Sequence, residues 1–137
     1  MSKTIPIRSS ADILESREHG RQLARLMGFD RVDQTRIATA ISEITRNVLQ
    51  HSQSTGELSI VEVEEGNCRG LCIRVVDTGC GIKDVGLALE EGYSTASSLG
   101  AGIPGTRRIM DEFDITSSEG NGVSVRMVRW LPRRRFA

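Results

Sequence analysis

The stretch VVDTGCGI, residues 75–82, joins an apolar run to an aspartate and two glycines. A strand that ends in Asp77 places its carboxylate at the edge of a sheet, and Gly79 and Gly81 let a flat ligand approach the backbone. Such a carboxylate can accept a hydrogen bond from the exocyclic amine of adenine. Guanine presents a carbonyl there and would leave a buried acceptor unpaired, at a cost of about 1–3 kcal/mol. The alternative is a plain tight turn, because Asp-x-Gly is common in turns.

A long amphipathic helix precedes this stretch, in DRVDQTRIATAISEITRNVLQHS, residues 30–52. Its apolar positions recur at helical spacing: Ile37, Ile41, Ile44 and Val48. Glu43 and Asn47 are four residues apart, so they share one side of the helix, at the margin of the apolar stripe beside Ala40. The pattern therefore predicts a carboxylate and an amide that can face a cleft.

This pair of side chains suits phosphate chemistry. An amide oxygen such as that of Asn47 is a hard ligand for Mg²⁺, which takes few protein ligands and completes its shell with phosphates and water. A carboxylate one turn earlier, that of Glu43, can accept a proton from an attacking hydroxyl or water. A solvated helix face is the alternative for an isolated Glu-x-x-x-Asn.

The remaining elements predict one α/β domain over residues 1–137. Residues 4–8 read as a short edge strand, and Ser9-x-x-Asp12 resembles a capping box that opens a helix ending before Gly28. Two strand pairs are expected, ELSIVEVE with GLCIRVVD and FDITSSE with GVSVRMVRW, and residues 103–112 look helical. Because helices and strands come in blocks, we expect a two-layer α/β sandwich with a mixed β-sheet packed on helices.

The segment GAGIPG, residues 100–105, matches the letters of a dinucleotide fingerprint but lacks its context. The residues before it do not read as a buried strand, and too few residues follow for a nucleotide-binding half-domain. A glycine-rich segment that leads into a helix still offers backbone N–H groups to phosphates.

Composition excludes several other classes of protein. Eighteen basic residues balance eighteen acidic ones among the 137, so the chain lacks the basic character of a nucleic-acid-binding protein. No apolar stretch approaches the length of a membrane span, and the start of the chain has no apolar signal core. Cys68, Cys72 and Cys80 lack a paired spacing, so they read as reduced thiols in the cytoplasm.

Three motifs in order, Glu-x-x-x-Asn, Asp-x-Gly-x-Gly and Gly-x-Gly, resemble the GHKL ATP-binding family. This family includes gyrase-type ATPases, histidine kinases and bacterial anti-sigma-factor kinases. The similarity covers nearly the whole chain, and ISEITRNVLQHS, VVDTGCGI and GYSTASSLGAGIPGTRRIMDEFDI resemble most closely its serine/threonine switch kinases of the stressosome.

The resemblance assigns a role to each matching residue. It implies that Glu43 is the general base, that Asn47 binds Mg²⁺ and that Asp77 reads adenine. It also implies four backbone contacts to ATP, at Gly79, Gly81, Gly100 and Gly102, and a short lid over residues 84–99. One position departs from the pattern, because many relatives have a threonine where this chain has Val123.

The resemblance also implies an activity and partners. The γ-phosphoryl group of ATP would pass to a serine or threonine of a STAS-domain protein, and phosphorylation would release the kinase to activate another protein, such as a PP2C-type phosphatase. An ATP-gated binding module with little turnover is the alternative. The presence of Glu43 favours the kinase, because a module that only binds has no need of a base.

Overall fold

The computed structural model describes residues 2–51, 56–77, 105–117 and 123–132. The elements in chain order are β1 (Ser2–Ile7), α1 (Ser10–Met27), α2 (Arg31–His51), β2 (Gly56–Glu65), β3 (Cys68–Asp77), β4 (Glu112–Ser117) and β5 (Val123–Trp130). Residues 105–109 form a helical turn before β4. No helix among these residues is long and apolar enough to cross a bilayer.

Local signals at its two ends fix helix α1. The Asp12 carboxylate accepts hydrogen bonds from the backbone N–H groups of Arg8 (2.7 Å) and Ser9 (3.1 Å), which would otherwise lack partners at a helix start. Gly28 follows the last turn with a φ of 100°, in the left-handed region, and its N–H donates to the Arg25 carbonyl at 3.1 Å. Both predicted helix ends are confirmed.

Helix α2 begins just after Asp30, whose Oδ1 accepts a hydrogen bond from the Asp33 N–H at 2.8 Å. The two helices approach closely at Gly20, because a Cβ placed there would lie 2.2 Å from Cδ1 of Ile41. Ile41 is fully buried, so the absence of a side chain at Gly20 is what allows this approach.

The five strands form one sheet in the order β1-β2-β3-β5-β4. All four pairings among the described strands are antiparallel, whereas we expected a mixed sheet. The two-layer α/β sandwich is confirmed, and β1, which contains Pro6, lies at an edge of the sheet as predicted. Strands β2 and β3 extend beyond the predicted segments ELSIVEVE and GLCIRVVD, because Glu65 pairs directly with Cys68 across a two-residue turn that contains Gly66, whose φ is 61°.

Alternate residues of each strand pack under the helices and form the core. These strand residues include Ile5, Ile7, Leu58, Ile60, Leu71, Ile73, Val75, Val125 and Met127. From the helices they meet Leu23, Ala24, Met27, Ile37, Ala40, Ile41 and Ile44. Each buried Leu or Ile contributes about 1.5–3 kcal/mol, so this helix-covered face of the sheet provides most of the hydrophobic stabilisation.

No described helix covers the opposite face of the sheet, the helix-free face, where polar contacts and the ring of Trp130 join neighbouring strands. Trp130 lies against Gly70, and its indole N–H donates to Glu112 Oε2 at 2.7 Å, so the ring spans from β3 to β4 across β5. Arg126 pairs with Glu112 (3.1 Å) and Asp114 (3.3 Å) on the neighbouring strand. Antiparallel sheets commonly leave one face without covering helices.

Candidate active site

Asn47 is buried in the structure without a hydrogen-bonding partner. Its exposed fraction is 7%, and neither Nδ2 nor Oδ1 has a hydrogen bond in the described part of the chain. The position is deeper than the stripe margin predicted from the helical pattern. A buried amide usually has partners, and an unpaired one costs about 1–3 kcal/mol. This amide is therefore available to a ligand.

Glu43 lies one turn before Asn47, at the margin of the stripe as predicted. Its side chain is 34% exposed, and Oε1 lies 3.0 Å from Nη1 of Arg46. An exposed pair of this kind contributes roughly 0.2–1 kcal/mol, so it can break at little cost when a ligand competes for either partner. The second carboxylate oxygen of Glu43 has no hydrogen bond among the described contacts.

Asp77 is the last residue of β3 and is 4% exposed. Asp77 continues the alternation of Leu71, Ile73 and Val75, so it lies on the helix-covered face. The strand ends in this carboxylate, as predicted. The buried position is consistent with a specific role in binding.

Covalent connectivity brings the end of α2 to the same edge of the sheet as Asp77. Gly56 pairs with Asp77, and the chain between residues 51 and 56 can span at most about 18 Å. The end of α2 at His51 therefore lies within about 18 Å of the residue that pairs with Asp77, and Asn47 lies one turn before that end.

The predicted glycine contacts lie outside the described residues, as does the predicted lid over residues 84–99. These contacts are Gly79, Gly81, Gly100 and Gly102. Val123 is described, and it packs partly buried against the core.

The donor set fits Mg²⁺ held jointly with phosphates. No group of three or more His, Cys, Asp or Glu side chains converges within residues 2–51, 56–77, 105–117 and 123–132, so these residues contain no all-carboxylate cage. Mg²⁺ requires few protein ligands when phosphates and water complete its shell, and the unpaired Asn47 oxygen can supply one.

Two polar residues at or near the helical turn 105–109, one buried and one partly buried, were not predicted. Thr106 is 2% exposed, and its hydroxyl has no hydrogen bond in the described residues. By contrast, the Thr45 hydroxyl donates to the Ile41 carbonyl at 2.7 Å, as helical threonines often do. The second residue is Arg129, whose side chain is 18% exposed and binds Asp33 of α2. Strand alternation alone could have singled out Arg129. It is two residues after Met127 and four after Val125, so its side chain lies on the same buried face of the sheet as theirs.

Comparison with known proteins identifies the family of the chain. The family described as histidine kinase-, DNA gyrase B-, and HSP90-like ATPase matches residues 32–135, which is more than half of the chain. The chain belongs to this family. It is the GHKL family that the three motifs predicted, so the predicted family is confirmed.

Individual relatives match most of the chain. The serine/threonine-protein kinase RsbT of Bacillus subtilis (strain 168) is 41% identical over 127 residues, which cover 93% of this chain and 95% of the relative. The anti-sigma F factor of Thermoanaerobacter sp. (strain X514) is 31% identical over 100 residues, 69% of this chain and 68% of the relative. These relationships confirm the prediction of an ATP-dependent protein kinase of the GHKL family.

A solved structure supports the fold independently. The mycobacterial sensor histidine kinase MprB superposes with a TM-score of 0.58 at 11% identity, covering 95% of this chain and 97% of that chain. At this identity the likeness concerns the fold alone.

Proposed function

We propose that this GHKL protein transfers the γ-phosphoryl group of ATP to a serine or threonine of a STAS-domain protein, and that it acts as a partner-switching kinase of a stress response in the cytoplasm. The observation that carries the proposal is the buried, unpaired amide of Asn47 one turn beyond the Glu43 carboxylate. The names of RsbT and of the anti-sigma F factor support a protein substrate and regulated partners.

Each side chain has a distinct role in the proposed reaction. The Asn47 oxygen holds Mg²⁺, which when bound neutralises charge on the phosphates. The Glu43 carboxylate accepts the proton of the attacking serine or threonine hydroxyl. Asp77 accepts a hydrogen bond from the adenine amine and thereby discriminates against guanine. Backbone N–H groups near Gly79, Gly81, Gly100 and Gly102 contact the nucleotide.

The test is phosphotransfer from ATP to a purified STAS-domain protein, measured for the wild type, Glu43→Gln and Asn47→Ala. We expect Glu43→Gln to lower kcat by about 10²–10⁴-fold, with little change in ATP affinity, because it removes only the base. Asn47→Ala should abolish the dependence of ATP binding on Mg²⁺ and reduce transfer to a similar extent.

Glu65→Gln is the matched control, because Glu65 is an exposed carboxylate at the other end of β2 from Gly56. It should transfer phosphate at the wild-type rate. If Glu43→Gln also transferred at that rate, Glu43 would not be the base. If ATP bound but no STAS-domain protein became phosphorylated, the proposed substrate class would be wrong.

A second candidate function is supported by the Glu43–Arg46 pair. In this arrangement the carboxylate oxygen Oε1 is occupied by Arg46 at 3.0 Å, as expected for a module that binds ATP and a partner but turns over slowly. After a phosphatase is identified as partner, ATP-dependent binding without phosphotransfer would favour this function. Activation of that phosphatase by the Glu43→Gln variant, to the same extent as by the wild type, would also favour this function.

A further inference from the structure

A groove outside the candidate active site lies along α1. It has a volume of about 750 Å³ and is lined by side chains of β1, α1 and the first turn of α2. Three of the lining residues form its arginine end: Arg21 and Arg25 of α1, and Arg31 at the start of α2. Arg31 comes sixteen residues before Asn47, which corresponds to about 24 Å along the helix. The arginine end is therefore separate from the proposed ATP site.

The three guanidinium groups of the arginine end have no partner in the described part of the chain. All three side chains are exposed, and none makes a hydrogen bond or an ion pair with a described residue. The acidic residue next to Arg31, Asp30, caps α2 and does not line the groove. Other arginines of the described ranges are each paired with a carboxylate, namely Arg36, Arg46, Arg69, Arg126 and Arg129. The arginine end thus presents positive charge that the described residues do not neutralise.

The other end of the groove carries the opposite charge. It is lined by Glu15 and Glu18, two to three turns before Arg25 on α1. Oε1 of Glu15 lies 3.8 Å from Nζ of Lys3 on β1, so this carboxylate is paired within the groove. Glu15 and Arg25 are ten residues apart, which corresponds to about 15 Å along the helix. The groove therefore changes from acidic to basic over a length that a single small anion cannot span.

This charge pattern favours a protein segment over other anions. A nucleic acid is negative along its whole length, so Glu15 and Glu18 would repel it. A lone phosphate could pair with one or two arginines but would leave the rest of the groove empty. A protein segment can present carboxylates to the arginine end and neutral or basic residues to the glutamates. Arginine suits such a partner, because its planar fork donates two parallel hydrogen bonds to one carboxylate.

We propose that this groove is a docking surface for an acidic segment of a protein partner, whose carboxylates pair with Arg21, Arg25 and Arg31. The surface serves binding alone and takes no part in phosphoryl transfer. The inference goes beyond the proposed function, because docking at this groove requires neither ATP nor Glu43. It assigns a role to three exposed arginines that none of the nucleotide motifs contains.

The experiment measures the binding of a labelled oligoglutamate peptide to the full chain, by fluorescence anisotropy without nucleotide. A peptide of about eight residues spans roughly 26 Å when extended, which is enough to cover the groove. We expect binding at low ionic strength that weakens as salt is added, because exposed charges are screened. An oligoglutamine peptide of the same length should not bind. Absence of oligoglutamate binding at low salt, or equal binding of the two peptides, would overturn the proposal.

Charge-reversal variants test whether the groove is the binding surface. Arg25→Glu should weaken oligoglutamate binding about tenfold, because an attraction is replaced by a repulsion of similar size. Arg31→Glu should weaken it to the same extent, and this variant decides if Arg25→Glu does not fold. A glutamate in the first turn of α2 interacts favourably with the helix dipole, so the fold of Arg31→Glu is preserved. Wild-type peptide affinity in Arg31→Glu would overturn the proposal.

Arg74→Glu is the matched control. Arg74 is an exposed arginine of β3 that pairs across the sheet with Arg126, so it lies on the helix-free face. The substitution changes the net charge as much as Arg25→Glu does, and it should leave peptide affinity unchanged. An equal loss in Arg74→Glu would mean that the peptide responds to net charge alone, and the docking surface would then be refuted.

Competition separates a protein segment from other anions. Inorganic phosphate that displaced the peptide at equal concentration would mean that the groove holds a small anion, and this would overturn the proposal. Tighter binding of an oligothymidylate of the same charge would overturn it in favour of a nucleic acid. Because no ATP is present, failure of peptide binding would leave the proposed kinase reaction standing. Failure of phosphotransfer would likewise leave the docking surface standing.

Discussion

The two faces of the sheet use the same residue types in different ways. On the helix-covered face, Arg129 binds Asp33, 96 residues earlier in the chain, and ties separate elements together. On the helix-free face, Arg126 binds Glu112 and Asp114 of the adjacent strand and only reinforces a hairpin. The comparison teaches that the face of the sheet on which an arginine lies, rather than its charge, determines whether it joins distant segments or reinforces one hairpin.

The largest expected difference between the faces is in hydrophobic burial. Ile60 and Val61 are neighbours on β2, but Ile60 is fully buried under the helices and Val61 is 36% exposed. Ile60→Ala should lower the free energy of unfolding by about 2–5 kcal/mol, because it leaves a cavity in the core. Val61→Ala should cost less than about 1 kcal/mol.

Chemical denaturation of both variants measures this difference. Similar losses for Ile60→Ala and Val61→Ala would mean that the helix-free face is covered in solution, and the contrast between the faces would then be wrong.

An intermediate effect is expected at Gly70, where the helix-free face is itself tightly packed. A Cβ there would lie 2.6 Å from Cε3 of Trp130 and 3.0 Å from the Arg129 carbonyl oxygen. Gly70→Ala should therefore cost about 1–3 kcal/mol, because the indole has to move. Gly105→Ala is the matched control and should not destabilise, since no described atom lies within 4 Å of its Cβ position.

Thermal unfolding tests the cause of this effect as well as its size. The cost of Gly70→Ala should shrink in a Trp130→Val background, because the ring is then absent. An unchanged cost would assign the strain to the backbone contact with Arg129 instead.

The smallest effect concerns the pH dependence of stability on the helix-free face. Hydrogen bonds from Trp130 first, and then from Arg126, lower the pKa of Glu112 from its ordinary value of 4.5. A carboxyl with a lowered pKa in the folded state stabilises the fold above the ordinary value, and this contribution is lost as the pH falls through the folded pKa. Because Glu112 is 38% exposed, the contribution should be below about 1 kcal/mol.

Trp130→Phe removes the indole donor and so tests the pH-dependent contribution of Glu112 to stability. The stability difference between the variant and the wild type should be larger at pH 7 than at pH 3, as measured by urea unfolding at both values. A difference that does not change with pH would mean that Trp130 acts only through packing.

Much of the fold could be predicted because its signals are local. Asp12 and Gly28 mark the ends of α1 through contacts within a few residues, and the spacing of Ile37, Ile41 and Ile44 defines the buried side of α2. The sheet order could not be predicted in this way. Whether β5 lies beside β3 or beside another strand depends on contacts between distant residues, which leave no periodic pattern in the sequence.

The residues of the candidate site could be singled out from the sequence, but their depth in the fold could not. The motif singled out Asn47, and the helical pattern placed it at a margin, yet its side chain is buried because other parts of the chain cover that side of α2. Arg129 lies in none of the motifs. The alternation along β5 places Arg129 on the helix-covered face, but only the three-dimensional packing shows that its partner is Asp33.

The interior position of β5, between β3 and β4, has a consequence for how the chain folds. The β2–β3 and β4–β5 hairpins join strands that are close in the sequence. By contrast, the pairs β1–β2 and β3–β5 each join strands that are separated by about fifty residues. The last described strand thus lies between β3 and β4 rather than at an edge of the sheet. During synthesis, α1, α2 and the first three strands can associate early. The sheet is complete only after residue 130 has left the ribosome. The two halves of the sheet should therefore join late during synthesis, when β5 pairs with β3.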